Sequence, residues 1–77
     1  MKVTLSCVGG SAEYFPSGTA KMEAEAEPGD TIEDVLVRLR VSKDLFMFAQ
    51  VNGVKADLSN RVREGDDIVL VSPLAGG

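Results

Sequence analysis

The sequence predicts a two-layer α+β domain, one main helix packed on one face of a mixed sheet of four to five strands. Three observations carry this expectation. The chain begins with strict polar–apolar alternation, one segment near the middle repeats at the helical period, and the last third holds short apolar runs broken by turn dipeptides. A single helix between two groups of strands is the pattern of one helix lying on one sheet. With 77 residues there is room for one modest core, so residues 1–77 read as a single domain with 73–77 as a flexible C-terminal tail.

Met1, Val3, Leu5 and Cys7 alternate with Lys2, Thr4 and Ser6, which gives a first strand with one buried face. Gly9-Gly10 ends it, and the segment from Ser11 to Gly18, with Tyr14, Phe15 and Pro16, reads as a loop or wide hairpin connection. From Thr19 to Glu27, Ala20, Met22, Ala24 and Ala26 fall on one side and Lys21, Glu23, Glu25 and Glu27 on the other. Ala, Met and Glu favour helices, yet a helical period would scatter these glutamates around the axis, so the segment is assigned as strand.

Pro28-Gly29 turns the chain, and Asp30 followed by Glu33 resembles a capping box. Ile32, Val35, Leu36 and Leu39 then lie at i, i+3, i+4 and i+7, the stripe of a helix that packs one face on a sheet. Phe46 to Val51 is expected as the third strand. Asn52-Gly53, the dipeptide that best tolerates the positive φ angles of a tight hairpin, leads into a return strand from Val54 to Ala56. Leu58 and Val62 sit in a connecting segment, Gly65-Asp66 makes a further turn, and Ile68 to Ser72 is the last strand. Pro73 ends strand pairing, so the chain leaves the sheet there.

Composition excludes several functions. Net charge is −4 with a sequence pI near 4.6, which disfavours nucleic-acid phosphates and anionic lipid and points to partners with basic surfaces. No stretch approaches the ~20 apolar residues of a membrane helix, and the alternating start is unlike a signal peptide, so a cytoplasmic protein is expected. There is no histidine and one cysteine, so neither an internal disulfide nor a zinc site of the usual Cys/His kind can form. Gly9, Gly10 and Gly18 do not compose a phosphate-binding loop, and no nucleophile–base pair suggests an enzyme.

The element order is that of the β-grasp, the fold of ubiquitin-like proteins. The tail Ser72-Pro73-Leu74-Ala75-Gly76-Gly77 resembles the terminus of the sulfur-carrier family formed by the molybdopterin synthase small subunit and the thiamine carrier. The likeness extends upstream through Val51-Asn52-Gly53, Leu58, Val62, Gly65-Asp66 and Ile68. The resemblance implies that the Gly77 carboxylate, preceded by Gly76, is adenylated by a partner and converted to a thiocarboxylate that donates sulfur. The Pro-Leu-Ala-Gly-Gly ending leans toward the molybdopterin type. Glycine suits both last positions because, lacking Cβ, it threads a channel too narrow for other residues.

The same resemblance implies a carrier and not a catalyst, binding no cofactor itself, with ATP and magnesium held by the activating enzyme. The implied partners are a ubiquitin-activating-type adenylating enzyme and a sulfur-accepting synthase, either the molybdopterin synthase large subunit or thiazole synthase. A ubiquitin-like modifier, joined through Gly77 to lysines of other proteins, shares the activation step, and a non-covalent interaction module with an idle terminus is the third alternative. Candidate partner contacts are Pro73, Leu74 and Ala75 beside the terminus and Phe48, since Phe46, Met47 and Phe48 are consecutive and a strand turns at least one of them outward. Arg61 and Arg63, positive charges in an acidic chain, complete the set as possible partners of carboxylates, and Cys7 reads as a small core residue.

Overall fold

In the computed structural model, residues 1–8 and 21–72 are described. The expected loop from Gly9 to Gly18, the start of the second strand at Thr19 and Ala20, and the tail from Pro73 to Gly77 lie outside them. Five strands, β1 (Lys2–Val8), β2 (Lys21–Glu25), β3 (Phe48–Val51), β4 (Val54–Ala56) and β5 (Asp67–Val71), form one mixed sheet in the order β2-β1-β5-β3-β4. β1 and β5 are parallel at its centre, and the other neighbours are antiparallel. The helix α1 (Ile32–Arg38) and a 3-10 turn (Lys43–Leu45) stand between β2 and β3 in the chain.

Alternation in the strands becomes the two faces of this sheet. Val3 and Leu5 of β1, Ala24 of β2, Ala49 of β3 and Ile68 and Leu70 of β5 are buried in one cluster with Ile32, Val35 and Leu36 of α1. Ala26, Val41, Phe46 and Val62 close that cluster at its edges. Lys21, Glu23 and Glu25 face solvent, which confirms β2 as a strand despite its helix-forming residues: pairing with β1 buries the Ala24 side and overrides local propensity.

The helix start differs from the expected capping box by one residue. Thr31 is the N-cap: its hydroxyl accepts from the Asp34 N–H at 3.1 Å, and the Asp34 carboxylate accepts from the Thr31 N–H at 3.0 Å. Asp30 is drawn elsewhere, accepting from the Glu27 N–H at 2.8 Å across the Pro28-Gly29 turn and from Arg38 at 2.7 Å, while Glu33 pairs with Lys43. The next two N–H groups of the helix are satisfied by the chain itself, Ile32 donating to the Asn60 carbonyl and Glu33 to that of Leu58. At the other end the N–H groups of Arg40 and Val41 reach back to the carbonyls of Val37 and Leu36, with Arg40 at φ 60, a Schellman closure in which arginine occupies the place glycine prefers.

The third strand begins later than expected. Phe46 closes the 3-10 turn through its N–H to the Lys43 carbonyl and is buried, so pairing of β3 starts at Phe48. Asn52 and Gly53 take φ 53 and 87, the two positive angles of a primed hairpin turn.

Candidate functional site

The terminus that the sequence singles out leaves the described fold at Ser72. Ser72 is buried and its N–H donates to the Val8 carbonyl at 3.1 Å, extending the β1–β5 ladder by one bond beyond the strand. Pro73, Leu74, Ala75, Gly76 and Gly77 lie outside the described residues. What the structure provides is the surface from which they start.

Strand register assembles that surface. Val8 of β1 stands opposite Val71 of β5, and Val71 opposite Phe48 of β3, so three apolar side chains form a row across three adjacent strands. Their core-facing neighbours Cys7, Leu70 and Ala49 pack toward α1, so period two turns the row to the opposite face, where Val71 and Phe48 are half-buried among the described residues. Strands ~4.8 Å apart make the row continuous. Val8 is 49% exposed, and Met47, whose N–H donates to the Val71 carbonyl at the same end, is 63% exposed. The next row carries Ser6, Val69, Gln50 and Lys55. The Lys55 ammonium lies 4.7 Å from the centre of the Phe48 ring, a cation–π contact that places a positive charge at the rim of the apolar row.

The remaining expected site residues separate. Phe48 belongs to the row beside Ser72. Arg61 and Arg63 lie at the opposite end of the sheet, in the segment that precedes β5, where they line a concavity with Asn52, Asn60 and Asp66. The structure therefore does not bring the two arginines to Ser72. Cys7 is half-buried against the core, as expected from its alternation. Among the described residues no group of three or more His, Cys, Asp or Glu side chains is placed to hold a metal ion, and no helix is long and apolar enough to cross a membrane.

Val8, Val71 and Lys55 were not expected in the site. Val71 and Val8 each carried a local signal, since each is an outward position of its strand. Their adjacency follows only from the parallel pairing of β1 with β5, which joins residues 63 positions apart, here Val8 and Val71.

No family model matches the chain, and no curated protein matches it. Among solved structures, the crystal structure of SAMP1 from Haloferax volcanii superposes over all of both chains with a TM-score of 0.73 and 20% sequence identity. The fold is the ubiquitin-like β-grasp. At that identity the shared property is the fold, and in this β-grasp domain the site is defined by its own residues: an apolar row on the open sheet face, a lysine at its rim, and Ser72 held beside it.

Proposed function

We propose that the protein is a sulfur carrier whose Gly77 carboxylate is the reacting group, activated while the open sheet face is held by the activating enzyme. The observation that supports this most directly is Gly76-Gly77 following a β-grasp domain whose last strand ends at Ser72, beside an apolar row on the face opposite α1. In the first step a Gly77 carboxylate oxygen attacks the α-phosphate of ATP held by the partner, and pyrophosphate leaves. In the second, a hydrosulfide-level nucleophile attacks the acyl carbon and AMP leaves, which yields the thiocarboxylate. The carrier contributes reach and recognition, and the partner contributes the catalytic groups.

A partly exposed apolar row of this kind suits docking, because burying exposed Val8 and the accessible parts of Val71 and Phe48 against a partner removes apolar surface from water at about 25 cal/mol per Å². Lys55 adds a charge that favours a partner carboxylate at the rim. Within the sulfur carriers, the Pro73-Leu74-Ala75-Gly76-Gly77 ending supports molybdopterin biosynthesis as the pathway, with the large subunit of the synthase as acceptor. Delivery to a thiazole synthase shares every earlier step. Conjugation through Gly77 is the second reading, since an activated terminus also acylates lysine amines.

One experiment separates these outcomes. The purified chain, its mature mass first shown to end at Gly77, is incubated with an activating enzyme, ATP and a sulfur donor and weighed intact. A gain of about 16 Da, oxygen replaced by sulfur, is the expected result. Covalent products with other proteins would establish the modifier reading instead, and an unchanged mass with every matched activating enzyme would reject activation of the terminus.

A further inference from the structure

The concavity at the far end of the sheet is used by nothing in the proposed activation. It is lined by Val51 and Asn52 of the β3–β4 hairpin, by the segment from Asp57 to Arg63, and by Asp66, and it opens to solvent with a volume of about 520 Å³. Its walls are fixed. The segment is fastened to α1 by the bonds from Ile32 and Glu33 to its carbonyls and by the Val62 N–H to the Asp30 carbonyl. Across the concavity, the Asn52 amide donates to Asp66 at 3.0 Å and accepts from the Asp67 N–H at 2.9 Å.

Val62 is buried between Arg61 and Arg63, both exposed, so alternation sends the two guanidinium groups outward from one fixed stretch of backbone. Neither has a carboxylate within salt-bridge distance among the described residues, whereas Arg38 and Lys43 are both paired. The nearest carboxylate in sequence that is also buried, Asp66, is committed: one oxygen accepts from Asn52 and the other from the Arg63 N–H at 2.8 Å. Among the described residues this puts two cations without an ion-pair partner at the edge of a polar hollow.

We propose that this hollow docks an acidic segment of a partner protein, its carboxylates meeting Arg61 and Arg63. A peptide carboxylate fits the lining better than a phosphate does. The negative charges of Asp57 and Asp66 repel a phosphate dianion more strongly than a single carboxylate, exposed Asp57 can accept a hydrogen bond from a peptide N–H, and the fork of arginine matches a carboxylate with two bonds. The site lies at the start of β5 and the apolar row at its end, five residues or ~16 Å along the strand, so one partner can hold the arginine end while the terminus is engaged elsewhere. The assignment does not depend on the sulfur-carrier reading, and its test involves no activation.

Isotope-labelled protein is titrated with hexaglutamate while backbone amide and arginine side-chain resonances are followed, with hexalysine and inorganic phosphate as parallel probes. Saturable shifts confined to Asn52, residues 59–63 and the two arginine side chains are expected with hexaglutamate, weakened by about 0.5 M salt. The Arg61→Gln/Arg63→Gln variant, with its remaining spectrum unchanged, is expected to bind about ten-fold more weakly. If that variant loses its fold, Arg61→Lys/Arg63→Lys takes its place, with weaker binding still required because the fork is gone. Shifts that do not saturate, that centre on Phe48 and Lys55, that persist undiminished in the variants, or that are stronger with phosphate would overturn the proposal.

Discussion

The two ends of the central strand pair are finished in opposite ways. Where β1 and β5 begin, polar groups are tied down: Gly65 donates to the Lys2 carbonyl, Asp66 is shared by Asn52 and Arg63, and residues 58–60 cap the helix with their carbonyls. Where the strands end, Val8, Val71 and Phe48 stand on the face opposite α1, with the Lys55 ammonium over the Phe48 ring. The difference teaches that the first end holds the fold in register through polar bonds, while the second places apolar side chains on the face away from the core, where the proposed partner would dock. Stability and function should therefore respond separately to substitutions at the two ends.

The largest effect expected on stability lies one residue away from the row. Leu70→Ala removes a fully buried side chain from the centre of the core and is expected to destabilise by about 2–5 kcal/mol in chemical denaturation, whereas Val71→Ala on the open face should change stability several-fold less. Equal losses at the two positions would mean that the open face is covered. Next in size is the clasp. Asp66→Ala leaves the Asn52 amide and the Arg63 N–H without their acceptor, and a loss of about 1–3 kcal/mol is expected, with the proposed activation of Gly77 unchanged in rate.

The converse substitution is Val71→Asp. Stability should fall by no more than about 1 kcal/mol, because Val71 is only half-buried and faces away from the core, while adenylation by the activating enzyme falls at least about ten-fold. Undiminished adenylation would remove the apolar row from the site. A smaller gain is expected from Arg40→Gly at φ 60, about 0.5–1 kcal/mol of added stability, since glycine adopts that angle without strain.

The smallest effect concerns pH and belongs to neither end. The hydrogen bond from Arg38, and secondarily the Glu27 N–H, hold the Asp30 carboxyl below its ordinary value of 3.8. A carboxyl lowered in the folded state contributes stability above its unfolded pKa and loses it as pH falls through the folded value. The Asp30 midpoint followed by NMR should thus lie below 3.8 and return toward it in Arg38→Gln. Lys43, raised above 10.5 by its hydrogen bond to Glu33, behaves in the opposite sense and loses its contribution at high pH.

Much of the fold is legible without coordinates. Five strands, one helix, the hairpin at Asn52-Gly53 and nearly all the core positions follow from period and turn chemistry, because each is decided by neighbours within a few residues. The misplaced capping box shows where that reach stops. Asp30 and Thr31 are both competent caps, and the choice is made by the Glu27 turn, by Arg38 and by residues 58–60, which local pattern does not contain. The candidate site divides in the same way: Phe48 was found as one outward residue of an apolar triplet, but not its companions Val8 and Val71.

By itself, then, the order of residues determined one helix on one mixed sheet and an acidic net charge, and it singled out Gly76-Gly77 as the candidate reacting segment. Tertiary structure alone decided that Val8, Val71 and Phe48 form one surface and that Arg61 and Arg63 belong to the other end of the molecule. The physical reason is that side-chain period is a local property of backbone geometry, whereas register between strands is set by packing a whole face against the helix at once.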